Sequence, residues 1–273
     1  MDSDAPLLRL ERITKHFGAI QALRGVSFDV RRSEVVALLG DNGAGKSTLV
    51  KIIAGELAAN SGRIIFEGVE RHFASPAEAK AAGIETVYQD LSLCPNVDVV
   101  ANFFMGRELT RRILGIPILR EREMEAETAK AMAEAGMHIP SLRVNAENLS
   151  GGQRQAIELN RFVHWGGKLV LLDEPFAALG VEQTRRGLEM VDQVRAKGIG
   201  VIMITHVMAQ AFAVADRIVV MRHGIIAGDV AADETSPDEI VRMITGDIGR
   251  KGKDRSTHRE TGGAPWSTTG VRS

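Results

Sequence analysis

Three features of the 273-residue chain predict an α/β fold with a parallel core sheet. The first is Gly40-Asp41-Asn42-Gly43-Ala44-Gly45-Lys46-Ser47-Thr48, which fits the phosphate-binding pattern G-x-x-x-x-G-K-[ST]. The second is its setting. Glu34–Leu39 before it is a short apolar run of the buried-strand kind, and Thr48–Gly55 after it has helical apolar spacing and a terminal glycine. Strand, glycine loop and helix is the context this motif needs. The third is a pair of later apolar runs, Lys168–Asp173 and Gly200–Thr205, each ending in polar residues as strands buried on both faces do.

The glycines of the loop let backbone N–H groups turn toward anionic oxygens, and the helix starting near Lys46 adds its own unpaired N–H groups and dipole. Gly40, Asn42, Gly43, Ala44, Gly45, Lys46, Ser47 and Thr48 are therefore the nucleotide-binding candidates. Lys46 reaches the β- and γ-phosphates, and the Ser47 hydroxyl is a ligand for Mg²⁺.

Composition narrows the classes. The chain is 44% hydrophobic and 25% charged, which suits one large soluble domain. A formal net charge of −1 leaves no basic body for nucleic acid, and an aromatic content of 4% offers no stacking platform. A single cysteine, Cys94, excludes an internal disulfide and reads as a small, partly buried apolar residue. No apolar run reaches the length of a membrane span.

In chain order, Leu7–Ile13 and Val26–Val30 read as strands, with Phe17 between them. Phe17 could stack on a base, but by itself it reads as an ordinary core residue, and His16 as a solvated one. Asn60-Ser61-Gly62 reads as a turn before a strand at Arg63–Phe66. Ser75, Pro76 and Glu78 open a helix that Gly83 closes. A strand follows from Ile84 to Gln89. Residues 91 to about 150 turn charge-laced and mostly helical, notably Arg120–Gly136, and form an insert; Phe103-Phe104-Met105 is either its core or an exposed partner surface. Ser150-Gly151-Gly152 stands at a helix start, a second anion site in form. Asp173 and Glu174 end one buried strand: the first can hold Mg²⁺ through water, the second can act as general base on an attacking water. His206 ends the next, placed for a polar contact with a γ-phosphate. Asp216–Met221 and Gly224–Asp229 read as strands joined by a tight turn, and Ser236-Pro237-Asp238-Glu239 caps a short helix ending near Gly246. Residues 248–273 are Gly/Ser/Thr-rich and basic, and read as a disordered tail.

As an ordered set these motifs resemble the ATP-binding subunit of ABC transporters across roughly residues 7–246. Gly40–Ser47 matches Walker A, Gln89 the Q-loop, Leu149–Gln153 the signature, Leu169–Asp173 with Glu174 Walker B and its catalytic glutamate, and His206 the switch histidine. Phe17 falls where the family's base-stacking aromatic is expected. Finer wording around Gly40–Gly45, Ile84–Asp90 and Gly106-Arg107-Glu108 looks like the bacterial fructose/ribose/xylose importers. The resemblance implies a P-loop NTPase (RecA-like) core sheet with an antiparallel β subdomain and a helical insert, in one ATP-binding domain over residues 1–247. It implies ATP and Mg²⁺ as ligands, the ion held by Ser47, Gln89 and Asp173, with Glu174, His206 and Gln89 as the hydrolytic residues. It also implies a head-to-tail pair of ATPase subunits in which Ser150, Gly151 and Gly152 close over the partner's ATP. Further expected partners are membrane permeases, and indirectly a solute-binding protein, on the cytoplasmic face of the cell membrane. Two positions depart from the family: Gly180 stands where the D-loop carries Asp, and Phe176 where Ser or Thr follows the proline. The competing readings are a soluble ABC-type ATPase working on nucleic acid or ribosomes, and a nucleotide-gated module without hydrolysis.

Overall fold

A computed structural model describes residues 5–87, 93–134, 139, 141–165, 167–177 and 180–247. Gln89 and the 248–273 tail lie outside the described residues. The chain opens with a long hairpin, β1 (Leu8–Phe17) and β2 (Ile20–Val30), followed by β3 (Val35–Leu39), the glycine loop and helix α1 (Lys46–Ile53). Strands β4 (Ser61–Phe66) and β5 (Val69–Arg71) precede α2 (Pro76–Ala82) and β6 (Ile84–Val87). The insert contains α3 (Val99–Phe104), a hairpin of β7 (Thr110–Ile113) and β8 (Ile116–Leu119), and α4 (Glu121–Glu134). Then follow α5 (Gly151–His164), β9 (Leu169–Asp173), α6 (Val181–Ala196), β10 (Gly200–Ile204) and α7 (Met208–Val214). Strands β11 (Arg217–Arg222) and β12 (Ile225–Ala231) and helix α8 (Pro237–Thr245) complete the described fold.

The strands form two main sheets. One has the order β2-β1-β4-β5 and is antiparallel; the other has the order β12-β11-β3-β10-β9-β6. In the second, β11, β3, β10, β9 and β6 run parallel and β12 pairs antiparallel at the edge. Helix α1 lies between the sheets: Leu49, Val50, Ile52 and Ile53 share one core with Leu8, Leu10 and Phe66 from one sheet and Val36, Leu38 and Leu171 from the other. The opposite face of the parallel sheet is covered by α6 through Val191 and Val194, and by α7 and α8 through Ala211 and Ile240. With both faces covered, β3 and β10 are buried at every position, which is why they read as uninterrupted apolar runs. The caps fall where local chemistry puts them. Ser75 and Ser236 accept from the third residue of their helices, and Gly83 and Gly246 end them in the left-handed region.

Three expectations are corrected. Ser61 and Gly62 open β4 instead of forming a turn. Thr14 and Ser61 hydroxyls bond at 2.7 Å, and Gly62 sits so close to β1 that a Cβ there would lie 2.6 Å from the Arg12 carbonyl. The insert is mostly helical as expected and also carries a hairpin, β7–β8, made by β-branched Ile113, Ile116 and Ile118 and the Leu114-Gly115 turn. Phe103 and Phe104 are fully buried against Trp165 and the α4 and α5 layer, so the partner-surface reading of that stretch fails. Phe17 is no core residue, since it is 47% exposed at the hairpin end. Cys94 is half-buried, as expected.

Candidate functional site

The phosphate loop is set by the strand it leaves. Gly40 has φ 146°, and a Cβ there would fall 2.1 Å from the Met221 carbonyl of β11, so only glycine passes between the strands. Gly45 caps α1 at φ 104° and presses on the Ala22 carbonyl of β2, which a Cβ would approach to 2.6 Å. The Ala44 N–H donates to the Asp41 carbonyl at 3.1 Å and the Gly224 N–H to the Ala44 carbonyl at 3.0 Å, which closes the loop and ties it to the β11–β12 turn. Lys46 is buried, and its ammonium donates to the carbonyls of Gly40 at 2.6 Å and Asp41 at 3.0 Å. Burial lowers the Lys46 pKa, while Glu174, Asp173 and Asp41 pull the other way.

The acids arrive from β9 and the histidine from β10. Ile204 is level with Leu38 on β3 and with Asp173 on β9, so the three strands end together. Ligand chemistry in open α/β sheets gathers at such carboxyl ends. Asp173 is half-buried and hydrogen-bonded to the Ser47 side chain. Burial, then the adjacent Glu174 charge, raises its pKa; the Ser47 bond and Lys46 oppose this. Glu174 has φ 49°, a left-handed conformation unusual for this residue type, and its N–H donates to the Ile204 carbonyl at 3.0 Å. Its Oε2 lies 3.3 Å from His206 Nδ1, with the His206 side chain 60% exposed. The reading from sequence omitted Thr205, which is buried. Its hydroxyl donates to Gln210 Oε1 at 2.7 Å and accepts from the Val207 N–H at 3.1 Å, fixing the turn that presents His206. A threonine just before the strand-end histidine was the available signal.

Lys46, Ser47, Asp173, Glu174 and His206 thus meet at one end of the parallel sheet. Phe17 stands at the exposed end of the same β1–β2 hairpin whose Ala22 carbonyl abuts Gly45, with Lys15 Nζ 5.2 Å from its ring centroid. Ser150, Gly151 and Gly152 belong to the helical layer. The Gln153 N–H donates to Ser150 Oγ at 3.2 Å and the Ser150 N–H to Gln153 Oε1 at 3.0 Å, a reciprocal cap that fixes the start of α5. The donors beside Lys46 suit Mg²⁺: a hydroxyl and a carboxylate, both hard oxygen ligands. Among the described residues no group of three His, Cys, Asp or Glu side chains forms a metal cage. Phe176, the departure after Pro175, is buried against α6, where Gly187 leaves room for its ring.

The family model described as ABC transporter matches residues 23–177, a span from the hairpin beside the loop to just past Glu174. The chain belongs to the ABC transporter family. Among relatives, it is 44% identical over 239 residues to the xylose/arabinose import ATP-binding protein XylG of Sulfolobus acidocaldarius, covering 88% of this chain and 94% of that protein. It is 39% identical over 245 residues to the fructose import ATP-binding protein FrcA of Rhizobium meliloti, with 88% and 94% covered. Among solved structures, the ATP-binding cassette MJ1267 of an ABC transporter superposes with a TM-score of 0.75 at 29% identity, over 90% of this chain and 100% of that one. The expected fold is borne out by this ABC cassette: a P-loop sheet, an antiparallel sheet against α1 and a largely helical insert. As a member of an ATPase family, the chain uses ATP as its nucleotide.

Proposed function

We propose that this chain binds and hydrolyses ATP to energise sugar uptake through partner membrane permeases of an ABC importer. The observation that supports the reading is the meeting of Lys46, Ser47, Asp173, Glu174 and His206 at the strand ends beside the glycine loop. The importer class rests on the relatives, which are named as sugar import ATP-binding proteins. Lys46 exchanges its bonds to the Gly40 and Asp41 carbonyls for phosphate oxygens of ATP, a trade from neutral to charged acceptors. Ser47 and Asp173 hold Mg²⁺, which neutralises charge on the phosphates when bound. Glu174 takes the proton of the attacking water, and His206, in ion-pair reach of it, orients that water and contacts the γ-phosphate. Gln89 senses the same phosphate, and Phe17 stacks on the base. Two copies pair head to tail, so that Ser150, Gly151 and Gly152 of each close over the ATP of the other through the N–H groups at the start of α5. Closing and reopening of this pair drives the permeases, which receive sugar from a solute-binding protein, at the cytoplasmic face of the membrane.

The test is Glu174→Gln in the full chain with its permeases. ATP binding should persist and hydrolysis should fall by about 10³-fold, the scale of a lost general base. A dimer should accumulate in saturating Mg-ATP by light scattering, and sugar uptake in vesicles should cease. Wild-type protein that releases no phosphate would favour the nucleotide-gated module instead.

A further inference from the structure

The β7–β8 hairpin is exposed along both strands. Leu114 at its tip is 98% exposed and Ile116 64%, with Ile113, Ile118 and Leu119 also open to solvent. Of the other large apolar side chains exposed among the described residues, Phe17 and Ile20 pair at the end of the β1–β2 hairpin, while Val69, Val181, Ile225 and Val241 stand apart from one another in the sequence. Scattered residues are ordinary, whereas a contiguous apolar patch marks an interaction site. The finger is rooted: Leu109 packs on the helical core, and the Arg120 N–H donates to its carbonyl at 2.8 Å. Its turn is set by Leu114 at φ 53° and Gly115 at φ 85°, the two left-handed residues a tight hairpin turn requires.

The ladder orders the chemistry from tip to base. Leu114 leads, Ile113 pairs with Ile116, Arg112 with Pro117 and Arg111 with Ile118, and Arg120 and Arg122 follow where α4 begins. Arg120 is tied to Glu123, but among the described residues Arg111, Arg112 and Arg122 have no carboxylate in ion-pair range. The result is an apolar tip behind which sits a collar of free guanidinium groups. Strand geometry puts Arg112 and Arg111 roughly 7–10 Å behind the tip, close to the ~5–10 Å depth that interfacial segments reach into a bilayer, with Arg122 further back, beyond the Thr110–Leu119 pair.

We propose that this hairpin is a lipid-contacting finger: Leu114, Ile113 and Ile116 enter the headgroup–acyl boundary of an anionic membrane, and Arg111 and Arg112 meet the lipid phosphates. A protein partner would be expected to cover one face of the strands. Here apolar side chains stand on both faces near the tip, Ile113 and Ile116 on one and Pro117 on the other, as suits a medium that surrounds the tip. The unpaired arginines supply the charge complementarity to phosphodiester headgroups. The finger would orient the ATPase toward the bilayer independently of nucleotide.

Flotation of the full-length chain with phosphatidylglycerol-rich and with pure phosphatidylcholine vesicles, without ATP, reads this directly. Wild type should float with the anionic vesicles and much less with the neutral ones. Leu114→Asp should lower the partition about tenfold or more, and Arg111→Gln or Arg112→Gln about fivefold each, with ATP hydrolysis unchanged in solution. Leu114→Trp should retain binding, and its emission should be quenched by lipids brominated on the acyl chains. Failure of wild type to float overturns the proposal, as does flotation of the variants at the wild-type level, which would place binding on another surface. Bound Leu114→Trp without quenching overturns insertion. Hairpin variants that lose permease association while wild type ignores lipid would assign the finger to a protein. Each of these outcomes is separable from the ATPase reading, because hydrolysis is measured apart from vesicles.

Discussion

The two ends of the parallel sheet both gather charge but use it in opposite ways. Where the strands begin, Arg217 donates to Glu34 Oε1 at 2.8 Å, to both oxygens of Asp229 at 2.9 and 2.8 Å, and to the Asp29 carbonyl at 2.5 Å. Beside it, Asp216 accepts from the Val35 N–H and from Arg195, each at 2.8 Å. Burial works against the Arg217 charge, yet Glu34 and Asp229 more than compensate and raise its pKa. At the other end Asp173 and Glu174 are neighbours of like sign, and among the described residues the buried Lys46 donates to the Gly40 and Asp41 carbonyls. The first end is satisfied within the chain and pins four strands together. The second keeps charge that a phosphate and a cation would complete, which is how a ligand site differs from a structural ion network.

This contrast can be broken in order of expected effect. Arg217→Met should cost about 3 kcal/mol in urea denaturation, because it leaves Glu34 and Asp229 partly buried without their cation. ATP hydrolysis per folded molecule should stay at the wild-type level; a selective loss of hydrolysis would mean that the two ends are coupled. Lys46→Ala should do the converse. ATP affinity by calorimetry should fall on the order of 100-fold, the scale of lost bonds to a charged partner. Stability should hold or rise slightly, since a desolvated ammonium is removed. Unchanged affinity would sink the assignment of the loop.

Gly187→Ala sharpens the comparison between the acid-bearing turn and the helix beneath it. The new Cβ would lie 2.4 Å from Phe176 Cε1, so overpacking should cost about 2 kcal/mol. Pairing it with Phe176→Leu should recover part of that loss, and simple additivity would show that the ring and the helix do not meet. The smallest effect concerns Asp173. Its folded pKa lies above the ordinary carboxylate value, so the folded state binds this proton more readily than the unfolded chain. The stability it contributes is full below the unfolded pKa and is lost as pH rises through the folded one. Asp173→Asn should therefore remove a loss of stability with rising pH just above the unfolded carboxylate range, so that the variant gains on wild type as pH rises there. At neutral pH it should stabilise the nucleotide-free protein by no more than about a few tenths of a kcal/mol, given solvent screening. A variant that loses ground to wild type as pH rises through this range would contradict the sign.

Much of the site was legible in the chain because its parts are local. Gly40–Thr48 carries its own strand and helix, Ser75-Pro76 and Ser236-Pro237 carry their own caps, and Leu169–Asp173 and Gly200–Ile204 announce two-sided burial by an unbroken apolar run. The hairpin in the insert was not, since its four-residue strands follow no core face and so show no alternation of burial.

What the sequence determined by itself was the kind of chemistry: a phosphate loop, two acids and a histidine, each at a strand end, because spacing along a strand or into a helix is a property of a few consecutive residues. What only the tertiary structure decided was which of them meet. The order β3-β10-β9 brings Lys46, His206 and Glu174 to one place from far apart in the chain. It also decided which aromatics face inward: Phe103, Phe104 and Phe176 are buried and Phe17 is exposed, although all four are the same residue. The reason is physical. Periodicity records which face of an element is apolar, but what covers that face is settled only when distant elements compete to exclude water from it.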